Sequence, residues 1–308
     1  MSSGAVDSAA LPGEGELAGL EPIEKIRRRW PMWLGAALSL LMVAGLGYEL
    51  FDKGLAGLSR IAPTSWVFYV VFVIFYVAPP TFDYLIFRRL WAIPLSGMIA
   101  LHKKRIANDV VLGYSGEAYF YAWARQRTQM VAAPFGAVKD VSILSAIAGN
   151  AITLAMMAFA LPLAVDLLAP GQLKSALVAV GAMVAMSLPF LIFSKRVFSL
   201  PRGRLWWIFN IHCARIVVDS ALLACAWYFA MPDASLGIWM LLAVARLLVQ
   251  RLPFLPNKDL LFVNFAIIMI GQGQAISELL AFMAALTLLG HAVLILAFGL
   301  ISVLRKEL

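Results

Sequence analysis

The chain has 308 residues, 62% of them hydrophobic and only 14% charged, with a formal net charge of +8. Soluble domains run nearer about 45–50% apolar, so this composition excludes an ordinary water-soluble fold and predicts an all-α polytopic integral membrane protein. The positive charge gathers largely in short polar segments between apolar runs, where lysine and arginine set topology, so it does not point to nucleic acid.

Residues 1–29 are expected to form a disordered cytoplasmic tail, and residues 30–308 a single transmembrane domain. Gly4 to Glu24 is small, polar and acidic, without the charge and apolar pattern of a signal peptide. Lys25, Arg27, Arg28 and Arg29 then precede the first apolar run, Trp33 to Leu50, which places the N-terminus inside the cell. The second run is Trp66 to Phe87. Pro79 and Pro80 are expected to kink it or end its regular part, with Asp83 just beyond. Residues 95–110 are basic and amphipathic and suit an interfacial cytoplasmic helix.

The stretch "VLGYSGEAYFYAWARQR" (111–127) follows, too broken by polar residues for a simple span. Val141 to Leu161 and Ala176 to Phe193 are clean apolar runs, and Trp206 to Met231 is another. Gly237 to Leu252 is short and carries Arg246, Gln250 and Arg251. "PFLPN" (253–257) interrupts the chain before a second short piece, Leu260 to Gly271. The last run, Ala281 to Leu304, ends in "RKEL" and fits a cytoplasmic C-terminus.

This pattern predicts about six full transmembrane helices, each near the length a bilayer requires. Two broken regions remain, about 95–138 and about 235–274, and they read as re-entrant hairpins entered from opposite faces. Eight plain spans are the alternative. Both termini fall in the cytoplasm, and the expected location is a bacterial-type cytoplasmic (inner) membrane. Cys213 and Cys225 lie on one predicted helix, roughly 18 Å apart along its axis, too far to bridge. The three histidines are isolated and no cysteine pair has metal-ligand spacing, so no metal or cofactor is expected.

Charges at a helix centre cost at least about 2.5–3.5 kcal/mol in lipid, so those inside apolar segments should pair, face inward or line water. On a helix, Glu117, Tyr121 and Arg125 share one face. His212, Arg215 and Asp219 share another, and Arg215 can pair with Asp219. Arg246, Gln250, Arg251, Lys258 and Asp259 flank the Pro break, and Gln272, Gln274 and Glu278 precede the last span. The plain reading is ion pairs that hold helices together, with Arg246 and Arg251 snorkelling to the outer interface. The functional reading starts from the sign of the charge. Arg125, Arg127, Arg215, Arg246, Arg251 and Lys258 outnumber the nearby acids, and a cavity with spare guanidiniums suits a phosphate-bearing headgroup.

Three motifs occur in order: "GYSGEAYFYAWAR", the serine-bearing span "DVSILSAIAGNAITL", and "LPFLPN" before a final apolar helix. Together they resemble the transmembrane domain of the lysylphosphatidylglycerol synthase (flippase-like) family, over roughly residues 30–305. Gly116 and Glu117 match the family's glycine-glutamate pair. Phe120 stands where the family usually has arginine, "SAIAG" where it often has Asp-Arg, and Asn257 and Lys258 where glycines normally follow the proline. The resemblance implies lipid movement or presentation, without the soluble aminoacyl-transferring domain.

The leading expectation is therefore a non-enzymatic translocase, or lipid-binding module, for an anionic or glycosylated membrane lipid. Glu117, Tyr121, Arg125, His212, Arg215, Asp219, Arg246, Arg251 and Lys258 are the expected binding residues. The alternatives are a non-catalytic scaffold partner of a lipid-synthesis enzyme, or a lipid-linked group transferase. The transferase lacks the acidic cluster that would hold Mg²⁺ against a diphosphate. No phosphate-binding nucleotide loop is present.

Overall fold

The computed structural model describes residues 62–111, 114–127, 133–167, 198–251, 258–259, 261–263 and 274–304, with the single positions 181 and 266. The expected tail, the first run at 33–50, the run at 176–193 apart from Gly181, and the PFLPN break lie outside the described residues.

The described elements are helical: α1 (Trp66–Trp91), α2 (Gly97–Val110), α3 (Ser115–Arg127), α4 (Ala133–Leu167), α5 (Arg202–Ala230), α6 (Leu236–Gln250) and α7 (Gln274–Leu304). Four stretches are long and apolar enough to cross a membrane: Trp66–Trp91, Phe135–Phe159, Arg202–Ala230 and Glu278–Ile301. These match four of the runs read from the sequence. α6 is apolar but short. Many large apolar side chains on the long helices face outward, among them Val73, Val217, Val293 and Leu296. A bilayer is the solvent in which such surface carries no penalty.

α1 corrects half of one expectation, that the proline pair ends its regular part. It runs unbroken through Pro79 and Pro80 to Trp91 and ends at Ala92, whose left-handed φ of 51° lets its N–H return to the Arg88 carbonyl. Proline removes the N–H that would bond four residues back, so Pro80 leaves the Tyr76 carbonyl without its helical partner. Arg105 of α2 donates Nη1 to that carbonyl. A cation from a neighbouring helix thus satisfies the group that proline freed, and the helix continues.

α2 corrects a second. Eight of its residues are buried, including His102 and Lys104, and it packs against α1, α3 and α7. His102 and Lys104 point into protein, where the amphipathic pattern puts them on a polar surface.

Two larger apolar cores and two smaller ones hold the helices among the described residues. Of the larger two, one joins Phe68, Phe72 and Phe75 of α1 to Trp227 of α5, Trp239 of α6 and Phe282 of α7. The other joins Phe87 of α1, Leu101 of α2, Phe120 of α3, Val141 of α4 and Ile208 of α5. Phe120 is fully buried, its ring 4.5 Å from that of Phe87. Asp140 belongs to the scaffold: one carboxylate oxygen accepts the N–H groups of Ser199 and Leu200, both at 2.7 Å, and ties the start of α5 to α4. α4 begins at Ala133, so Lys139 and Asp140 lie inside the helix, a turn or more beyond its first residues.

Candidate functional site

Between the two larger cores lies a layer of charge. Its first part is built around Lys104. The Nζ of Lys104 is 2.6 Å from Asp83 Oδ2 on α1 and 3.5 Å from Glu117 Oε1 on α3. Gly116 makes this approach feasible, because a Cβ there would overlap the Lys104 carbonyl oxygen. The Gly116 N–H is fixed by Asn108 Oδ1 at 2.7 Å. Burial alone would push the Lys104 ammonium down, but Asp83 and then Glu117 outweigh it and hold it above the ordinary lysine range. His212 of α5, almost fully buried, is within electrostatic reach of Asp83, Lys104 and Arg215.

The second part is built around Arg246, 8% exposed on α6. Its Nε is 3.0 Å from Asp259 Oδ1 and its Nη1 3.3 Å from Asp219 Oδ2 on α5. Gln250 Nε2 also donates to Asp259 at 2.9 Å, and the guanidinium lies 5.4 Å from the Phe75 ring centroid. Two carboxylates thus meet one guanidinium, whose charge is spent inside the protein.

The third part is different. Arg215 donates Nη2 to Ser145 Oγ of α4 at 2.8 Å. Arg251, just past α6, donates Nε to the Leu247 carbonyl at 3.4 Å. Lys258 donates Nζ to the Gln250 carbonyl at 3.0 Å. Among the described residues, none of these three cations forms an ion pair. Burial first, and then Arg215 beside it, hold the Arg251 guanidinium down to about 10. Burial and then Arg251 push the Lys258 ammonium below its usual range. Gly149 of α4 makes room for Arg251, since a Cβ there would overlap the guanidinium. Tyr114, with an unusual left-handed φ of 74°, is within electrostatic reach of Arg251. Neutral oxygens and one hydroxyl satisfy the hydrogen bonds here, while the nearest carboxylates, Asp83 for Arg215 and Asp109, Glu117 and Asp259 for Lys258, act only at longer range, an arrangement that leaves the guanidinium and ammonium groups able to take an anion.

A fourth group was not singled out from sequence. Tyr76 Oη of α1 lies 2.6 Å from His291 Nδ1 of α7, and His291 Nε2 faces Asp109 Oδ2 of α2 at 3.3 Å. Arg105 Nε is 3.5 Å from the same carboxylate oxygen, and its guanidinium lies 4.7 Å from the Tyr76 ring centroid. Burial would raise the Asp109 carboxyl, but His291 and Arg105 outweigh burial and hold it below the ordinary range.

The sequence-predicted residues thus separate. Glu117, His212 and Arg215 converge around Lys104 and Asp83, and Asp219, Arg246, Arg251 and Lys258 converge around the end of α6. Arg215 and Asp219 do not pair with each other as expected, because each finds a partner on another helix. Arg246 does not snorkel; it is interior. Tyr121 and Arg125 bond to each other at 3.1 Å, with the Tyr121 ring against Phe135 of α4. Lys104, Asp83, Tyr76, Asp109 and His291 are interior polar residues outside the predicted set. An ionisable side chain within an apolar helix was the available signal for Asp83 and His291. Gln272 lies outside the described residues, and the Gln274 side chain is likewise outside them.

No metal-ligating group of His, Cys, Asp and Glu occurs among the described residues. No protein-family model, curated protein or solved structure matches the chain.

Proposed function

We propose that this chain is a lipid translocase, or the lipid-binding module of one, that receives an anionic headgroup among its interior cations. Arg215, Arg251 and Lys258 bind the headgroup oxygens, with the Arg215 and Arg251 forks matched to a phosphate. The observation that carries this reading is that Arg251 and Arg215 lie together, largely shielded, with no carboxylate paired to either among the described residues. A fold that needed only internal ion pairs gains nothing from that arrangement. The resemblance of Gly116–Glu117 and its surroundings to the flippase-like family supports the same reading.

In this account the short helices α2, α3 and α6 belong to two re-entrant regions whose irregular backbone is covered by the long helices. The bilayer is a bacterial-type cytoplasmic membrane, and both termini face the cytoplasm. Headgroups cross beside the charge layer while acyl chains stay against the outward apolar faces.

Leaflet exchange tests the proposal. Purified protein in phosphatidylcholine vesicles should exchange a fluorescent phosphatidylglycerol at least about tenfold faster than a fluorescent phosphatidylcholine, a preference of about 1.4 kcal/mol. Equal rates for both, or no exchange of either, count against translocation. The saturated Arg246 network favours a second reading, a scaffold partner for a lipid-synthesis enzyme. In that case every interior charge should tolerate size-matched apolar replacement of whole ion pairs.

A further inference from the structure

The Tyr76–His291–Asp109 chain has no role in holding a headgroup, yet it is built with care. His291 is fully buried in the middle of α7, one residue after Gly290. A Cβ at Gly290 would come within 3.0 Å of the Tyr76 ring, so glycine lets that ring sit against α7. Lone histidines in apolar helices are costly, and this one is hydrogen-bonded on one nitrogen and faces a carboxylate with the other. Asp109 is the outer end: its side chain is 43% exposed, against 1% for His291. It opens on a small recess, with room for about one water molecule, lined by Asp109, His291, Gln250, Lys258, Asp259 and Thr287.

The chain therefore leads from a polar recess to a buried phenol through an imidazole. Lys258, which forms no ion pair among the described residues, lines the same recess.

We propose that the Tyr76–His291–Asp109 chain is a proton-binding site, loaded from this recess and thermodynamically coupled to anion binding at Lys258 and Arg251. A proton arriving from the recess meets the Asp109 carboxylate first. It either stays there as the carboxylic acid or forms the N–H of an imidazolium at His291, with Tyr76 Oη accepting from Nδ1. In both forms the pair loses its net negative charge, and the two groups titrate as one unit. With that charge gone, an anion near Lys258 meets less repulsion. Linkage is reciprocal, so a bound anion raises the proton affinity of the chain by the same factor. Proton and headgroup then move as a pair.

The groups facing the chain fit this role. From α2, Arg105 keeps Asp109 ionised until the proton comes. His102, its ring 6.4 Å from that of Tyr76, is pushed down to about 4 by burial, then by Arg105 and His291, so it stays neutral and does not compete. From the far side of the recess come Lys258 and Asp259, and Arg246 of α6 is within electrostatic reach of Asp109. The coupling half of this inference rests on the anion-binding reading; the proton site itself does not.

The experiment is ¹⁵N-histidine NMR of the full chain in neutral detergent, assigned by H102Q, H212Q and H291Q variants, with and without short-chain phosphatidylglycerol. The His291 ¹⁵N shifts are expected to change on acidification, to follow a different pH course in Asp109→Asn, and to change when the lipid is added. Binding of the lipid should strengthen on acidification in the wild type and lose that dependence in the Asp109→Asn/His291→Gln double variant, which has no group of the chain left to load. A His291 resonance that keeps one protonation state from about pH 5 to 9 and ignores Asp109→Asn overturns the proton site. A His291 that titrates as expected in a protein that binds no anionic lipid at any pH overturns the coupling and the anion reading, and leaves the proton site standing. Lipid binding with no pH dependence overturns the coupling alone.

Discussion

Arg251→Gln is expected to slow exchange of anionic lipid by about 10–100-fold while leaving the melting temperature unchanged or raised. The size follows from losing a charge-assisted hydrogen bond to the headgroup, worth about 1.5–3 kcal/mol, at about 1.4 kcal/mol per factor of ten. The stability half follows from the unliganded geometry. Among the described residues, the Arg251 Nε donates to the Leu247 carbonyl at 3.4 Å, a long hydrogen bond, and Arg215 beside it repels the guanidinium. Glutamine removes that repulsion and still fits over Gly149. Arg215→Gln should slow exchange in the same way without a gain in stability, because Arg215 has Ser145 Oγ at 2.8 Å and the Asp83 carboxylate within electrostatic reach. A structural arginine would behave in the opposite way, with stability falling and exchange following it down. Reading both quantities on one preparation separates the two cases.

Arg246→Met is expected to destabilise the protein by about 3–5 kcal/mol, the usual cost of stripping the counter-charge from a buried pair. Asp219 and Asp259 would then face each other's charge with only Gln250 donating to Asp259. Replacing all three members together, as Arg246→Met with Asp219→Leu and Asp259→Leu, should recover most of the loss, since no uncompensated charge remains. Thermal unfolding in detergent at fixed pH gives both numbers. If the triple variant is no more stable than Arg246→Met, the guanidinium contributes more than charge balance. Its place over the Phe75 ring would then be the first contact to examine.

Much of the scaffold was legible in the sequence because lipid imposes a length and a composition on anything that crosses it. Trp66, Val141, Trp206 and Ala281 each open a run that the structure turns into a long apolar helix. The departures share a physical cause, which is that partners came from other helices. Pro79 and Pro80 read as a break because the sequence does not show Arg105 reaching the Tyr76 carbonyl. Arg215 and Asp219 read as a pair because they are one turn apart, but Arg246 of α6 offers Asp219 a better counter-charge and Ser145 takes Arg215. The basic face of α2 read as a surface because lysine and arginine favour water. Asp83 instead draws Lys104 inward, and the carbonyl and ring of Tyr76 take Arg105. His291 was passed over because a single histidine has no spacing to interpret; its meaning lies in Tyr76 and Asp109, which are 215 and 182 positions away along the chain.

The central claim is that the interior cations hold an anion. The most direct test is thermal unfolding of the wild-type protein in neutral detergent, titrated with short-chain phosphatidylglycerol and separately with short-chain phosphatidylcholine. A ligand present at about 100 times its Kd stabilises the folded state by about 2.7 kcal/mol, which such a titration resolves. The account predicts that phosphatidylglycerol raises the melting temperature, that phosphatidylcholine does not, and that the rise vanishes in the Arg215→Gln/Arg251→Gln double variant. Equal rises with both lipids, or a phosphatidylglycerol rise that survives in the double variant, would contradict it.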